Sequence, residues 1–316
     1  MIKILVTGAA GFIGSHLCER LLKIEEIEVV GIDGFINPAL NLTKQRNLKL
    51  LLTNPRFQFH QVDLRKADLA RLLDGVQVVY HLAAMPGVRT SWGTDFKSYV
   101  DHNIVATQIL LEAVCECPLK KFIYISTSSV YGEKIGKVAE DSIPTPLSPY
   151  GVSKLTGEYL CKVYQASYGI PIVILRYFTL FGPRQRSDMA FHRFINGILH
   201  REPIKIYGDG KQTRDFTFID DIIRANLSSI ESGKAGETYN LGGGTQRKIV
   251  DILPVIEEIS QTKAKIRYVE REKGDVRHTF ADIQKAKEDL NYSPQVALED
   301  GLKLEWEWIK TIINSE

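Results

Sequence analysis

The chain has 316 residues, of which 44% are hydrophobic and 25% charged, and these proportions are ordinary for a folded globular protein. Its length exceeds the size at which one hydrophobic core usually stops growing, so it predicts one large and one small domain. A total of 40 Lys and Arg against 38 Asp and Glu leaves a net charge of +2, which gives no electrostatic reason to expect nucleic acid or an anionic membrane surface as a partner. Because the apolar stretches are strand-length and a strand begins at once, we expect no spanning helix, no cleaved signal and a cytoplasmic location.

Short apolar runs rich in β-branched residues alternate with segments of helical periodicity along the first half of the chain. The runs cover residues 2–6, 29–32, 57–62, 76–80, 122–125 and 172–175, with a first helix from about Phe12. This alternation predicts repeated βα units, and hence a parallel sheet covered by helices on both faces. Right-handed crossovers then leave a Rossmann-like, doubly wound α/β fold as the simplest topology.

After Gly182 the pattern becomes less regular, and glycine-rich polar loops separate short strands from helices. We therefore predict a large dinucleotide-binding domain over residues 1–180, to which part of 217–245 returns. A smaller α/β substrate domain is predicted over 181–216 and 246–316. The cleft between two unequal domains is the expected place for a ligand.

The first predicted strand runs into a turn with three glycines, Gly8, Gly11 and Gly14, that opens a helix. Without side chains there, backbone N–H groups can approach a pyrophosphate, and the helix N-terminus then faces the anion. Asp33 ends the second predicted strand, where its carboxylate can accept hydrogen bonds from an adenine-ribose hydroxyl and disfavour a 2′-phosphate. The pattern therefore favours NAD over NADP.

Further candidates for cofactor contacts follow the third and fourth predicted strands, because open α/β sheets bind ligands at the carboxyl ends of their strands. The small side chains after the fourth strand would let the cofactor approach closely. For His81, at the end of that strand, a buried histidine satisfied by backbone is as good an interpretation as a direct role. The candidates at these two positions are Asp63, Leu64, Leu82, Ala83 and Ala84.

Tyr150 and Lys154 are spaced i, i+4, so a helix in this segment would place both side chains on one face. The proline-rich stretch before them predicts a rigid loop that enters such a helix. Such a pair alone occurs often by chance. It gains weight from the hydroxyl run 126–129, which follows the fifth predicted strand and so belongs to the same carboxyl edge. The Tyr/Lys helix, the hydroxyl run and the expected nicotinamide position therefore converge on one predicted catalytic site.

Together these motifs resemble the extended short-chain dehydrogenases, and within them the NAD-dependent nucleotide-sugar epimerases and dehydratases. The resemblance covers nearly the whole chain. It rests on the glycine turn, Asp33, the Tyr150 and Lys154 pair, and three further stretches at 126–132, 176–179 and 209–216. It implies bound NAD, and contacts to that cofactor also from Phe12, Ile13, Asn103, Ser126 and Tyr177.

By the same resemblance, Tyr150 removes a proton from a sugar hydroxyl. Lys154 holds the nicotinamide ribose and lowers the pKa of Tyr150, while Thr127 hydrogen-bonds the reacting oxygen. The physics agrees, because a phenol with a pKa of about 10 is a poor base at neutral pH. A nearby ammonium and a positive nicotinamide ring both favour the phenolate.

The two residues after Thr127 indicate the type of reaction. In sugar 4,6-dehydratases the resemblance places Asp and Glu there, as an acid/base pair for loss of water. This chain has Ser128 and Ser129, and nucleotide-glucuronate decarboxylases usually carry Glu where Ser129 stands. A C4 epimerase needs one base, a 4-keto sugar free to rotate, and reduced cofactor retained on the enzyme, so no net redox change results. The sequence predicts such an enzyme.

The segments 81–89 and 176–184 look like those of UDP-glucuronate 4-epimerases, whereas UDP-glucose 4-epimerases more often have Asn where Thr179 stands. Thr127, Ser128, Ser129 and Thr179 could donate several hydrogen bonds to a C6 carboxylate without adding a charge. The substrate hypothesis is therefore conversion of UDP-glucuronate to UDP-galacturonate. Resemblance and arginine geometry add substrate contacts from Arg186, Arg214 and Arg277, from Phe191 and Tyr207 near the base, and from Gly87, Arg89 and Met189.

Several alternatives stay open at this point. They are a UDP-glucose or UDP-N-acetylglucosamine 4-epimerase, a UDP-glucuronate decarboxylase, a net sugar dehydrogenase, and a non-catalytic NAD-sensing protein on the same fold. Retention of both Tyr150 and Lys154 argues against the last. Family members commonly pair through the helices that bear Asn103 and Tyr150, so a homodimer is expected. Asp101 and His102 lack partners at metal-ligand spacing, and no metal is predicted.

Overall fold

A computed structural model describes residues 1–313. The strands in chain order are β1 (Ile2–Thr7), β2 (Ile27–Asp33), β3 (Phe57–Gln61), β4 (Val76–His81), β5 (Lys121–Thr127), β6 (Ile172–Tyr177), β7 (Thr179–Phe181), β8 (Ile204–Tyr207), β9 (Thr213–Phe218), β10 (Thr238–Leu241), β11 (Gln246–Lys248) and β12 (Ile266–Val269). The helices are α1 (Phe12–Leu21), α2 (Asn41–Leu48), α3 (Leu69–Leu72), α4 (Phe96–Tyr99), α5 (Ala106–Ala113), α6 (Pro149–Tyr168), α7 (Ala190–Leu199), α8 (Ile219–Glu231), α9 (Ile249–Ser260), α10 (Gln284–Leu290) and α11 (Leu298–Ile313). A π-helical stretch, Val100–Val105, joins α4 to α5.

Seven of these strands form one parallel sheet in the order β3-β2-β1-β4-β5-β6-β10. The order reverses between β1 and β4, which places ligands at the carboxyl ends of those strands. All six predicted strands are present, each within three residues of its predicted ends. The predicted Rossmann-like α/β fold is confirmed.

The central strands are apolar because helices cover both faces of the sheet. Every residue of β6 is buried, and in β4 only Gln77 is not. Parallel strands buried on both sides need such near-continuous apolar runs, and this is why the sequence did not alternate there.

The rest of the chain builds two small sheets beside the large one. One has the order β11-β9-β7 and the other pairs β12 with β8. Between β9 and β11 the chain returns to the large sheet, where β10 pairs in parallel with β6. The helices α7, α9 and α11 pack against these small sheets. The small sheets begin with β7, which starts two residues after β6 ends, so they lie at the carboxyl edge of the large sheet.

Helix α6 has clear local causes. The Ser148 hydroxyl accepts the Gly151 N–H at 3.1 Å, and Pro149 occupies the first turn, where its missing N–H costs nothing. The helix ends at Gly169, whose φ of 70° lies in the left-handed region that glycine tolerates. The predicted proline-rich entry to this helix is confirmed.

Candidate active site

The glycine turn after β1 has no room for a side chain at its first or its third glycine. Gly8 has a φ of +72°, and a Cβ on Gly14 would lie 2.1 Å from the Gly8 carbonyl oxygen. A Cβ on Gly8 would lie 3.0 Å from the Ala83 nitrogen, so the ends of β1 and β4 touch here. Gly11 caps α1 without a side-chain hydrogen bond, which leaves the first N–H groups of the helix free of a side-chain partner. This arrangement fits a pyrophosphate.

Asp33 ends β2 beside that turn and is buried. Its carboxylate accepts the Phe35 N–H at 3.0 Å and the Ala10 N–H at 3.3 Å, and Lys44 donates to it at 2.7 Å. The Lys44 contact was not predicted. A carboxylate has about four lone-pair sites, and these three donors leave one for a ribose hydroxyl, the partner predicted from the sequence.

Several residues predicted to contact the cofactor already use their polar groups within the protein. The Asp63 carboxylate pairs with Arg65 at 2.7 Å, and this contact lowers the pKa of Asp63. The Tyr177 hydroxyl donates to the Asn226 side chain at 2.8 Å. Direct contacts between these residues and the cofactor therefore stay predictions.

Asn103 fixes the loop that follows β4. Its amide accepts the Met85 N–H at 2.7 Å and donates to the Met85 carbonyl at 3.0 Å and the Ser153 hydroxyl at 2.9 Å. Because Ser153 lies on α6, these bonds hold the predicted cofactor loop, with Leu82, Ala83 and Ala84, against the catalytic helix.

Tyr150 lies in the first turn of α6, with its ring centroid 6.2 Å from that of Tyr99. Burial of the phenol raises the pKa of Tyr150, while the Thr127 hydroxyl and the positive charge of Arg186 lower it. The predicted helix and its shared face are present, since Lys154 follows one turn later.

Lys154 is 3% exposed, and its ammonium lies 4.2 Å from the centroid of the Tyr124 ring. Burial lowers the pKa of Lys154 to about 8, and Cys161 and Glu158 oppose that shift. Its closest described contact is thus this ring rather than Tyr150, so the predicted effect of Lys154 on the phenol stays a prediction. Cation–π contact supports an ammonium in a buried place.

The hydroxyl cluster forms at the end of β5. Thr127 Oγ1 accepts the Ser129 N–H at 3.1 Å and donates to the Ser129 hydroxyl at 3.3 Å. Ser128 opens a short 3₁₀ turn there, and all three side chains are half-buried. Thr179, also half-buried, begins β7. The cluster therefore offers neutral donors at the edge where Tyr150 stands.

His81 has a structural role at the end of β4. Its ring bridges the hydroxyls of Thr7 at 2.8 Å and Thr107 at 2.9 Å, and burial lowers the pKa of His81 to about 3. Thr7 Oγ1 in turn accepts the Ala83 N–H at 3.0 Å. Side-chain hydroxyls, not the backbone of the predicted alternative, satisfy this histidine.

Three of the predicted substrate arginines are held by acids at the mouth of the site. The partners are close in sequence for one pair and distant for the other two. The pairs are Arg89 with Asp275 at 2.8 Å, Arg186 with Asp188 at 2.7 Å, and Arg277 with Asp209 at 2.7 Å. We call this group the arginine rim. Its partly exposed ion pairs leave the cations available to a competing anion.

Arg214 differs from the rim because it donates to carbonyl groups, those of Thr213 at 2.8 Å and Arg277 at 3.4 Å. Tyr207 lies under Arg89, with 4.0 Å between the ring centroid and the guanidinium carbon. The other two predicted base or substrate contacts lie at the start of α7. Met189 caps this helix and Phe191, only 1% exposed, packs 4.5 Å from the Phe216 ring.

The loop with Gly87 lies close to Tyr150, the predicted base, through Tyr99. Gly87 has a φ of +111°, and its carbonyl accepts a hydrogen bond from the Tyr99 hydroxyl at 3.0 Å. Because the Tyr99 ring contacts Tyr150, this bond relates the predicted substrate loop to the catalytic helix. Neither Tyr99 nor Lys44 carried a signal in the sequence.

Among residues 1–313 no group of three or more His, Cys, Asp and Glu side chains is placed to hold a metal ion. No helix in the same range has the length and apolar character that crossing a membrane requires. The expectation of a metal-free site stays a prediction.

The fold and this site define a dinucleotide-binding α/β protein with a Tyr/Lys pair and a neutral hydroxyl cluster at the cofactor edge. The sequence profile of the NAD dependent epimerase/dehydratase family matches residues 4–242, and the chain belongs to that family. The predicted membership is confirmed.

Two curated relatives and one solved structure are similar to this chain over nearly its whole length. An uncharacterized UDP-glucose epimerase of Bacillus subtilis is 52% identical, over 99% of this chain and 100% of the relative. A UDP-glucuronate 4-epimerase of Thermodesulfobacterium geofontis is 42% identical, over 97% and 95%. The crystal structure of a UDP-glucuronic acid 4-epimerase from Bacillus cereus, in complex with UDP-glucuronic acid and NAD, is 55% identical, with a TM-score of 0.96 over 98% of this chain and 100% of that one.

Proposed function

We propose that this protein inverts C4 of UDP-glucuronate to give UDP-galacturonate, through a transient 4-keto sugar and with NAD retained on the enzyme. The observation that carries the proposal is the neutral hydroxyl cluster, Thr127, Ser128 and Ser129, at the end of β5. A dehydratase needs an acid/base pair in those places. The similarity to UDP-glucuronate 4-epimerases points to the same activity.

Bound NAD supplies a reversible two-electron oxidation and reduction at C4 of the sugar. The glycine turn and the first N–H groups of α1 would hold its pyrophosphate, and Asp33 would hold its adenine ribose. Lys154 would hold the nicotinamide ribose, since it lies one turn beyond Tyr150 on the same helix. Together these residues would position the cofactor.

Tyr150 takes the proton from the C4 hydroxyl and returns it after the sugar has turned its other face. Burial disfavours its phenolate, so neighbouring positive charge and the Thr127 hydroxyl have to offset that cost. The hydroxyl cluster and Thr179 donate hydrogen bonds to the C6 carboxylate. A 4-keto glucuronate is a β-keto acid that loses carbon dioxide readily, and these donors hold the carboxylate in an orientation unfavourable for cleavage.

One experiment separates this proposal from its rivals. Purified enzyme is incubated with UDP-glucuronate, UDP-glucose and UDP-N-acetylglucosamine in turn, and C4 inversion is followed by NMR. We expect inversion of UDP-glucuronate at the highest kcat/KM and no steady accumulation of NADH. Preferred turnover of UDP-glucose would show that UDP-glucose, not UDP-glucuronate, is the substrate, as the name of the Bacillus subtilis relative suggests. Steady accumulation of NADH would indicate a dehydrogenase.

The role of the hydroxyl cluster has its own test. In Thr127→Ala and Ser128→Ala we expect slower epimerisation and a detectable UDP-pentose product, because the carboxylate loses the donors that orient it. Unchanged epimerisation with no pentose would contradict that role. Thr53→Ala serves as a hydroxyl control, since Thr53 is exposed just before β3 and its hydroxyl donates to the Leu50 carbonyl.

We further propose that residues 1–180 with part of 217–245 bind NAD, and that 181–216 and 246–316 bind the nucleotide sugar. Pairing of β10 with β6 supports the first group, and the rim pair of Arg277 with Asp209 supports the second. Residues 314–316 of that range lie outside the described residues. A cytoplasmic location is proposed from four free cysteines, which suit a reducing compartment.

A homodimer is proposed through the outer face of α6 and the helix that bears Asn103. On that outer face Val152, Tyr159 and Val163 are 44%, 55% and 59% exposed, which leaves an apolar surface for a second copy. Light scattering of the parent should give twice the monomer mass. Val163→Asp should give the monomer with NAD still bound, and a monomeric parent would refute the dimer.

A further inference from the structure

Glu158 is a buried acid on the catalytic helix that the proposed mechanism does not use. It lies one turn beyond Lys154 on the same face of α6 and is 1% exposed. One carboxylate oxygen accepts the Ser126 hydroxyl at 2.5 Å and the Arg176 Nε–H at 2.9 Å, and the other accepts Arg176 Nη2–H at 2.6 Å. A single carboxylate therefore joins α6 to the ends of β5 and β6.

Arg176 extends this contact into a network. It is buried, and its Nη1 donates to the Tyr131 hydroxyl at 2.7 Å and to the Glu140 carbonyl at 3.1 Å. The Tyr131 hydroxyl then donates to the Asn240 side chain at 2.7 Å, which reaches β10. Four elements that border the site are thus held by one chain of charged and polar groups.

The place of Glu158 in this network gives it control over the reacting groups. Ser126, which it holds, precedes Thr127 in β5, and α6 carries both Tyr150 and Lys154. Replacing a buried ion pair by apolar side chains of the same volume is often neutral or stabilising, so this pair is weak evidence for a role in stability alone. Displacement of reacting groups by about 1 Å costs roughly a hundredfold in rate.

We propose that Glu158 is a positioning residue, which holds Thr127, Tyr150 and Lys154 in register through its bonds to Ser126 and Arg176. This inference rests on the proposed epimerase function. Glu158 acts through Lys154 and Ser126 and does not itself touch substrate or cofactor.

The electrostatic part follows from what surrounds the Lys154 ammonium. Burial lowers its pKa to about 8, and the Cys161 thiol on α6 and the carboxylate of Glu158 both oppose that shift. The Tyr124 ring on β5 and His81 on β4 also face the ammonium, and burial keeps His81 neutral, with a pKa of about 3. Because the Arg176 guanidinium pairs with Glu158 at 2.6 Å, loss of the acid alone takes the negative charge out of this network and leaves the Arg176 cation without its partner.

The test uses two variants of the NAD-loaded full chain. Glu158→Gln removes the charge and keeps the shape, and the double variant E158Q/R176M also removes the stranded cation and so protects the fold. We expect kcat to fall about tenfold in both, with KM within about twofold, because binding groups are untouched. The alkaline limb of the kcat profile should move down by roughly 0.5–1 pH unit in Glu158→Gln, and less in the double variant.

Tyr131→Phe is the matched control. It removes one hydroxyl from the same network and leaves the Glu158 contacts intact, so it should lower the melting temperature without moving the alkaline limb. If the network only supports the fold, all three variants will differ in melting temperature alone.

The pKa of the Lys154 ammonium, measured by NMR of lysine-labelled protein, is a second readout that does not depend on the sugar. It should be lowest in Glu158→Gln and intermediate in the double variant. A folded double variant with the parent's kcat, alkaline limb and Lys154 pKa would overturn the proposal. A parent that epimerises no UDP-sugar, with the Lys154 shifts present, would refute the proposed function while supporting the electrostatic role of Glu158.

Discussion

The buried edge of the sheet and the arginine rim hold their charges in opposite ways. At the edge, the Arg176 and Glu158 side chains are 3% and 1% exposed and bonded on several sides. At the rim, Arg277 and Asp209 are 38% and 45% exposed. Water and salt screen the rim pairs, so a phosphate can replace an acid there at small cost, whereas the edge cannot rearrange without stranding a charge. We therefore expect the chemistry in the fixed region and the binding of phosphates in the exchangeable one.

The sharpest test of the fixed region is Tyr150→Phe. Loss of the only proposed base should lower kcat by about 10²–10⁴-fold with KM for the UDP-sugar little changed. The measurement is C4 inversion followed by NMR. Tyr168→Phe near the end of the same helix, with its ring 57% exposed, should keep the parent's rate. Parent-like turnover by Tyr150→Phe would remove the base from the mechanism.

Arg214→Met tests whether binding lies in the second region. Because Arg214 donates to carbonyl groups and forms no ion pair among the described residues, it is free to meet a phosphate. A charge-assisted hydrogen bond contributes roughly 1.5–3 kcal/mol, so KM should rise about 10–100-fold with kcat almost constant. Arg267→Met, an exposed arginine of β12, is the control. A fall in kcat instead would place Arg214 in the chemistry.

Glu305→Gln addresses the junction between the regions. Glu305, buried in α11, accepts the Gly182 N–H at 2.8 Å, and burial raises the pKa of Glu305 to about 8. A folded-state pKa above the unfolded one means that stability falls as pH rises from about 4.5 to 8. The variant should therefore melt a few degrees higher than the parent at pH 8 and match it at pH 5. An equal difference at both pH values would show that ionisation is not involved.

The smallest effect is expected from Asp209→Asn at the rim. Arg277 would lose an exposed partner and become freer to bind the substrate phosphates, so KM should fall by no more than a few-fold. Isothermal titration with UDP gives the affinities of the parent and of Asp209→Asn at low and at high salt. The difference in affinity between the two proteins should become smaller as salt is added. A large rise in KM would mean that Asp209 orients Arg277 rather than competing for it.

Much of the cofactor half could be predicted because its signals are local. Glycine spacing, strand-end Asp33 and the i, i+4 pair each follow from the geometry of one turn, strand or helix. Glu158 could also have been predicted, since it repeats the same four-residue step after Lys154. Its partner Arg176 could not, because only the sheet brings β6 beside α6 and β5.

What the sequence by itself determined was the fold class, the glycine turn and the helix that carries Tyr150 and Lys154 on one face, because each depends on neighbours within one βα unit. Only the tertiary structure decided which acids face which cations. Asp275 meets Arg89, and Asp209 meets Arg277, across long stretches of chain. Such contacts depend on how separate elements pack, and no local pattern of residue types specifies that packing.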